Sequence, residues 1–228
     1  VRKESCLRKK DGKEIPVLAS LSFLKDTTGR PVYAIFTLKD ITHQKEKEKQ
    51  LLFLATHDHL TGLPNRFLFN DRLKLALDQA RRNKRKLALM ILDIDNFKDI
   101  NDNFGHSVGD ELLKAFGERL RGILRKTDTV ARMGGDEFLI LLPDIKTPQS
   151  AERAAQKIME EGKKPFFLGR RKIEVSFSIG ISIYPEDGED VDKLTTSADV
   201  ALFIVKKRGK SNFAWYTSAV EKLNPGQI

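Results

Sequence analysis

Over residues 1 to 40 apolar and polar positions alternate, and Lys10-Asp11-Gly12 and Asp26-Thr27-Thr28-Gly29-Arg30 interrupt the alternation with turn-forming residues. A period of two broken this way predicts three antiparallel strands, over about residues 3–9, 14–24 and 32–40. Ile15, Val17, Ala19, Leu21 and Phe23 mark one face of the middle strand. A sheet of roughly forty residues cannot bury a core of its own, so this segment reads as the end of a larger domain. From His43 to Gln50 the chain is polar, and Leu51, Leu52, Phe53, Leu54 and Ala55 follow. That change predicts a linker helix over residues 43–57. Ile41, Leu51, Leu52 and Ala55 would suit either a short dimeric seam or a plain solvated helix.

Gly62 and Pro64 then fix a loop, and an amphipathic helix runs from Arg66 to about residue 82. Residues 87–92 are apolar throughout, as expected of a central strand covered on both faces, and Asp93-Ile94-Asp95 closes it. The Asn- and Asp-rich stretch from 96 to 106 reads as a loop. A helix carrying Leu112, Leu113, Phe116, Leu120 and Ile123 on one stripe follows, ending near Leu124. Thr129-Val130-Ala131 and Phe138 to Leu142 flank a Gly134-Gly135 turn, which predicts a hairpin. Beyond it come a helix from Pro148 to about Glu161 and an antiparallel pair of about residues 166–168 with 172–184, turned at Gly169. A helix over about residues 191–207, capped by Asp190 or Asp192, and a closing strand over about 212–216 complete the pattern. The fold class is therefore α+β: a mostly antiparallel central sheet flanked by helices, preceded by a small antiparallel β fragment and a linker helix. The expected division is 1–42, 43–57, 58–217 and a tail over 218–228.

Composition narrows this picture slightly. With 228 residues, 40% hydrophobic residues and 14 Phe, the chain can bury a sizeable core. No apolar run reaches the length of a membrane span, and no signal peptide opens the chain. Val1 is not an initiator Met, so the chain reads as a piece of a longer protein, with membrane attachment only through parts outside it. A single cysteine, Cys6, excludes an intrachain disulfide and fits a reducing cytoplasmic setting. The net charge of +9 favours an anionic partner. No aromatic-basic platform or recognition helix accompanies it, so nucleic acid is not the expected partner.

Chemistry concentrates in two acidic clusters, Asp93/Asp95 and Asp136/Glu137, each at the end of a strand of the same expected sheet. Carboxylates there are costly to bury without partners. If the two strands are neighbours, the clusters meet, and hard oxygen ligands in that place suit Mg²⁺ or Mn²⁺ with substrate phosphates completing the shell. Scattered histidines and a remote cysteine do not suit zinc. The residues alone therefore point to metal-assisted phosphoryl or nucleotidyl transfer; a solvated acidic hairpin tip is the plain alternative.

The motifs are more specific. Gly134-Gly135-Asp136-Glu137-Phe138 is the signature of the diguanylate cyclase, or GGDEF, family. Around it stand Asp58-x-Leu60-Thr61-Gly62-Leu63-Pro64-Asn65-Arg66, Asp93-Ile94-Asp95-x-Phe97-Lys98-x-x-Asn101-Asp102, Gly105-His106-x-x-Gly109-Asp110, Ser178-Ile179-Gly180 and Ala198-Asp199-x-Ala201-Leu202. The resemblance implies a fold related to nucleotidyl cyclases and polymerase palms, and the joining of two GTP into cyclic di-GMP with release of two pyrophosphates. It implies Mg²⁺ or Mn²⁺ held by Asp93, the Ile94 carbonyl and Asp136 with Glu137 beside them. Asp136 is also the implied acceptor of the ribose 3′-hydroxyl proton. Asn101 and Asp110 would hold the guanine edge, and Phe97 and Lys98 would border the phosphates. His106, Gly134 and Gly135 would line the substrate site, and Lys206 and Lys210 would meet the β and γ phosphates. Arg125-Lys126-Thr127-Asp128 matches the family's Arg-x-x-Asp product-inhibition site, with Arg125 and Asp128 as its contacts. One GTP per protomer implies that catalysis needs a homodimer. Position 210 is Lys where the family usually has Arg, and position 203 is Phe where it usually has Tyr. Residues 1–42, ending Leu38-Lys39-Asp40-Ile41-Thr42, resemble the C-terminal half of a PAS sensor domain. A different class also fits: a degenerate GGDEF module that binds GTP or cyclic di-GMP and regulates an adjacent domain.

Overall fold

The computed structural model describes residues 2–217, so the expected tail over 218–228 lies outside the described residues. The chain forms two compact units, Val1–Ala55 and Thr56–Ile228.

In the first unit β1 (Arg2–Arg8), β2 (Glu14–Lys25) and β3 (Pro31–Asp40) form an antiparallel sheet in the order β1-β2-β3. The Asp26 carboxylate shapes the β2–β3 turn by accepting from the backbone N–H groups of Thr28 and Arg30. α1 (Thr42–Thr56) follows. Among the described residues of this unit only Val17 and Ile41 are buried, while Tyr33 and Phe36 of β3 are exposed.

The second unit runs α2 (Arg66–Asn83), β4 (Lys86–Ile94), α3 (Phe97–Phe104), α4 (His106–Ile123), β5 (Thr129–Gly134), β6 (Glu137–Ile145), α5 (Pro148–Gly162), β7 (Phe166–Leu168), β8 (Arg171–Ile173), β9 (Phe177–Tyr184), α6 (Val191–Lys207) and β10 (Phe213–Trp215). Its sheet has the order β10-β9-β4-β6-β5, antiparallel except where β10 joins β9 in parallel. β4 is apolar on both faces because both faces are covered. Ala88, Met90, Leu92 and Ile94 meet Leu112 and Phe116 of α4 and Ile158 of α5 in one core. Leu87, Leu89 and Ile91 meet Phe69 and Leu73 of α2 and Leu194 and Ala198 of α6 in the other. Phe116 anchors the first, its ring 5.3, 5.9 and 5.3 Å from those of Phe138, Phe166 and Phe177. On the second face, Gly180 lets α6 lie directly on β9, since a Cβ there would strike the Ala198 carbonyl and the Leu202 amide.

The structure differs from the sequence expectation in three places. The stretch from 96 to 106 is not a loop: Phe97, Ile100 and Phe104 share one side of α3, and Gly105, at φ 86°, separates it from α4. The pair expected between 166–168 and 172–184 is broken, because β8 ends at Ile173 and β9 begins at Phe177, leaving β7 and β8 as a separate two-stranded hairpin. β5 and β6 extend further toward the turn than their apolar residues indicate, so that Gly134 and Glu137 themselves pair. Of the two expected caps, Asp190 is the one that caps α6, accepting from the Lys193 N–H at 2.7 Å.

Candidate active site

β4 and β6 are neighbours, and their register sets Asp93 opposite Glu137. Both acidic clusters therefore reach one end of the sheet. The turn joining β5 to β6 is possible because Gly134 and Gly135 adopt φ 133° and 55°. It is tied to β4 by the Ile94 N–H, which donates to the Asp136 carbonyl at 3.3 Å. Asp93 is half-buried and pairs with Lys206 at the end of α6, Nζ to Oδ2 2.8 Å. Burial, reinforced by the nearby charges of Asp136 and Asp95 and opposed by Lys206, holds its carboxyl above the usual carboxylate range. Burial likewise raises Glu137, with Arg66 opposing and Asp199, Asp93 and Asp136 adding to the rise. The site is thus a half-buried concentration of negative charge.

Asp95 belongs to a different part of this arrangement. It is buried and accepts from Ser178 Oγ at 2.8 Å and from the Ser211 N–H at 3.1 Å. Its oxygens pin β9 and the loop after α6 to the end of β4, which separates its work from that of Asp93.

The turn is braced from below. Arg132, at the end of β5, donates through Nη1 to both Asp58 oxygens at 3.0 and 3.1 Å, and through Nε and Nη2 to the Gly135 carbonyl at 3.0 and 2.7 Å. Asp58 also accepts from the Thr61 N–H and hydroxyl at 2.9 and 2.6 Å. Burial alone would raise the Asp58 carboxyl, but the Thr61 and Arg132 donors together hold it below the usual range. The loop from Asp58 to Asn65 is closed by the Asp58 N–H on the Leu63 carbonyl and ends in Asn65, which caps α2 by accepting from the Leu68 N–H. In the sequence this motif marks the family but shows no task of its own; the signal for the brace is an arginine two residues before a glycine pair.

α3 and α4 form the other wall. Phe97 opens α3 and is buried in the core, and Lys98 beside it is exposed. Asn101 on α3 lies against Gly109 on α4, where any Cβ would collide with its Oδ1 and crowd Phe97. Gly109 is therefore what admits the Asn101 amide between the helices, and Asp110 follows it, exposed on the same turn. His106 is the exposed first residue of α4. Lys210, at φ 62°, reaches back to Asn96 with Nζ 2.6 Å from Oδ1. The sheet end thus gathers Asp93, Glu137 and Lys206, with Lys210 bonded to the loop that follows β4.

Among the described residues no three acids, histidines or cysteines form a ready-made metal cage. Two neighbouring carboxylates and a strand-end carbonyl nevertheless fit Mg²⁺ or Mn²⁺, which take few protein oxygens and rely on water and phosphate for the rest.

Arg125 and Asp128 lie between α4 and β5. The Arg125 N–H donates to Asp128 Oδ2 at 2.9 Å. Burial raises the Asp128 carboxyl, against the lowering influence of Arg125. Both residues line two adjoining pockets of about 210 and 360 Å³, the first also lined by Arg153 and Lys157, the second by Arg72 and Arg121.

The family model described as Diguanylate cyclase, GGDEF domain, matches residues 55–212, more than half of the chain. The chain belongs to the GGDEF family. Its GGDEF domain is similar to the bifunctional diguanylate cyclase/cyclic di-GMP phosphodiesterase MucR of Pseudomonas aeruginosa, 40% identical over 75% of this chain and 25% of MucR. It is also similar to the cyclic di-GMP phosphodiesterase NbdA of the same organism, 39% identical over 79% of this chain and 22% of NbdA. This chain thus spans a quarter or less of either relative. Among solved structures, the GGDEF domain of TpbB from Pseudomonas aeruginosa superposes with a TM-score of 0.69 at 37% identity, covering 73% of this chain and 99% of that one. The GGDEF fold, a central sheet with flanking helices, is shared with it. Among the described residues no helix is long and apolar enough to cross a membrane.

Proposed function

We propose that the GGDEF domain is an active diguanylate cyclase that condenses two GTP into cyclic di-GMP and two pyrophosphates. The observation that carries this reading is the register of Asp93 against Glu137 beside the Gly134-Gly135 turn, which sets a carboxylate pair at a strand end where a triphosphate can approach backbone. A divalent ion held by Asp93, the Ile94 carbonyl and Asp136 would polarise the α-phosphate and neutralise the departing pyrophosphate. Lys206 and Lys210 bind the β and γ phosphates, and the first-turn amides of α3 at Phe97 and Lys98 receive anionic oxygens as a helix N-terminus does. Asn101 and Asp110 hold the guanine. The Asp110 carboxylate accepts from the N1–H and the exocyclic amine, donors that adenine does not present there. His106, Gly134 and Gly135 border the nucleotide. The 3′-hydroxyl of one GTP attacks the α-phosphorus of the other, with Asp136 and Glu137 the carboxylates at the attacking oxygen, so two protomers must face each other.

We also assign residues 1–42 to the C-terminal part of a PAS sensor, 43–57 to the signalling linker and 58–217 to the cyclase. Cytoplasmic location and assembly as a homodimer belong to the same reading.

The test is turnover of GTP with Mg²⁺ across protein concentrations. Specific activity rising with concentration until a dimer saturates supports the reading. No product even from a forced dimer favours the second one, a GGDEF module that binds nucleotide and regulates a neighbour. That alternative draws on NbdA, which carries a matching segment yet is described only as a phosphodiesterase.

Arg125 and Asp128 are assigned to product inhibition, with the guanidinium on phosphate and guanine and the carboxylate on the guanine edge. Arg125→Ala should raise the cyclic di-GMP concentration needed for half-inhibition about tenfold or more, the worth of one charge-assisted contact. Inhibition curves that superpose on those of the parent protein would remove the assignment.

A further inference from the structure

Lys206 occupies a place that the chemistry requires for something else. It stands on the last turn of α6, a helix fixed to β9 by close approach at Gly180, and its ammonium lies 2.8 Å from Asp93 Oδ2. The Asp93 side chain is only 18% exposed and faces the charge of Asp136. A carboxylate so placed needs a positive neighbour, and Lys206 supplies it. Asp95 is held elsewhere, its two oxygens accepting from Ser178 and Ser211, and the ammonium is paired with Asp93. A divalent ion on the same carboxylate would compete with this ammonium, and a bound triphosphate would offer the ammonium a second anionic partner.

We propose that Lys206 is an exchangeable counter-ion: it fills the cation position at Asp93 in the nucleotide-free protein and moves to the triphosphate when metal and nucleotide arrive together. The identity of the nucleotide rests on the cyclase reading above, whereas the exchange concerns only Asp93, Lys206 and a divalent ion. A divalent ion alone must displace the ammonium into water and binds weakly. With a nucleoside triphosphate present, the displaced ammonium gains a phosphate partner, and the two ligands strengthen each other's binding. The pairing thus disfavours futile loading of the acidic cluster with metal. It also gives Lys206 effects of opposite sign on the two ligands.

The experiment uses the full chain with Mn²⁺ as probe, free Mn²⁺ being counted by electron paramagnetic resonance. Lys206→Gln is expected to bind Mn²⁺ alone about tenfold tighter than the parent, the scale of one removed charge in a half-screened site. Lys206→Arg is expected to bind it as the parent does. In the presence of Mn²⁺, the same Gln variant is expected to bind a non-hydrolysable GTP analogue about tenfold more weakly. Adding Asp93→Asn to Lys206→Gln should abolish the gain in Mn²⁺ affinity. Damage to the fold would weaken both ligands, and should Lys206→Gln not fold, Lys206→Met carries the same titration. Unchanged or weaker Mn²⁺ binding in a folded variant, or a gain that survives Asp93→Asn, overturns the exchange. The cyclase reading is judged separately by turnover, which the metal titration does not involve.

Discussion

Asp136→Asn is expected to slow cyclic di-GMP formation at least about a thousandfold, because it removes one of the few fixed charges directed at the reacting phosphate. The substitution keeps the shape of the side chain, and the turn does not depend on the carboxylate. The Asp136 carbonyl accepts from the Ile94 N–H, and Arg132 grips the Gly135 carbonyl. Folding should accordingly be unaffected, with a melting temperature within about 3 °C of the parent. Removing one negative charge also relieves Asp93, which the Asp136 charge pushes upward. A purely structural role would thus make the variant as stable or more so, and as active. Product formation followed by chromatography, beside a thermal melt, separates the two. A rate within tenfold of the parent would show that Asp136 is not at the metal.

Much of this arrangement is legible in the sequence. β4 and β6 stood out as apolar runs ending or beginning in acids, and pairing them needed only that they be neighbours, which the register of Asp93 with Glu137 provides. α3 was hidden because its Asn and Asp residues favour turns locally, while tertiary packing of Phe97 and Ile100 overrides that preference. The different fates of Asp93 and Asp95 were hidden for a related reason. Alternation along a strand sends them to the same side, but the chain after α6 and Ser178 of β9 hold the Asp95 carboxylate, contacts that are 116 and 83 residues distant in sequence. The brace from Asp58 to Arg132 is equally nonlocal, spanning 74 residues. Sequence spacing shows which residue types occur near a turn. Which of them hold the turn and which remain for a ligand depends on partners that spacing does not reveal.

That brace carries the largest expected effect on stability. Arg132→Met should lower the unfolding free energy by about 3–5 kcal/mol, the cost of leaving a buried charge without its partner. The side chains of Arg132 and Asp58 are only 9% and 13% exposed, so solvent screens little of the loss. Removing the guanidinium leaves Asp58 with Thr61 alone and the Gly135 carbonyl with neither Arg132 donor. Arg132→Lys should recover little, since one ammonium cannot span the carboxylate and the carbonyl as a planar guanidinium does. Asp58→Asn keeps a hydrogen-bond acceptor and should cost less, about 1–3 kcal/mol. The double variant should fall short of the summed losses, as expected for two members of one network. The sign with pH follows from the Asp58 carboxyl, held below its ordinary value. Its contribution is present above the unfolded pKa of about 3.9 and disappears as the pH falls through the lower folded value, so the gap between parent and Arg132→Met should narrow in acid. Urea unfolding at neutral and acid pH, followed by the single tryptophan, Trp215 of β10, reads the unit that holds the pair. Turnover should fall along with stability, because the turn that carries Asp136 loses its support. A loss below about 1 kcal/mol, the level of an exposed ion pair, would show that the turn stands without the brace.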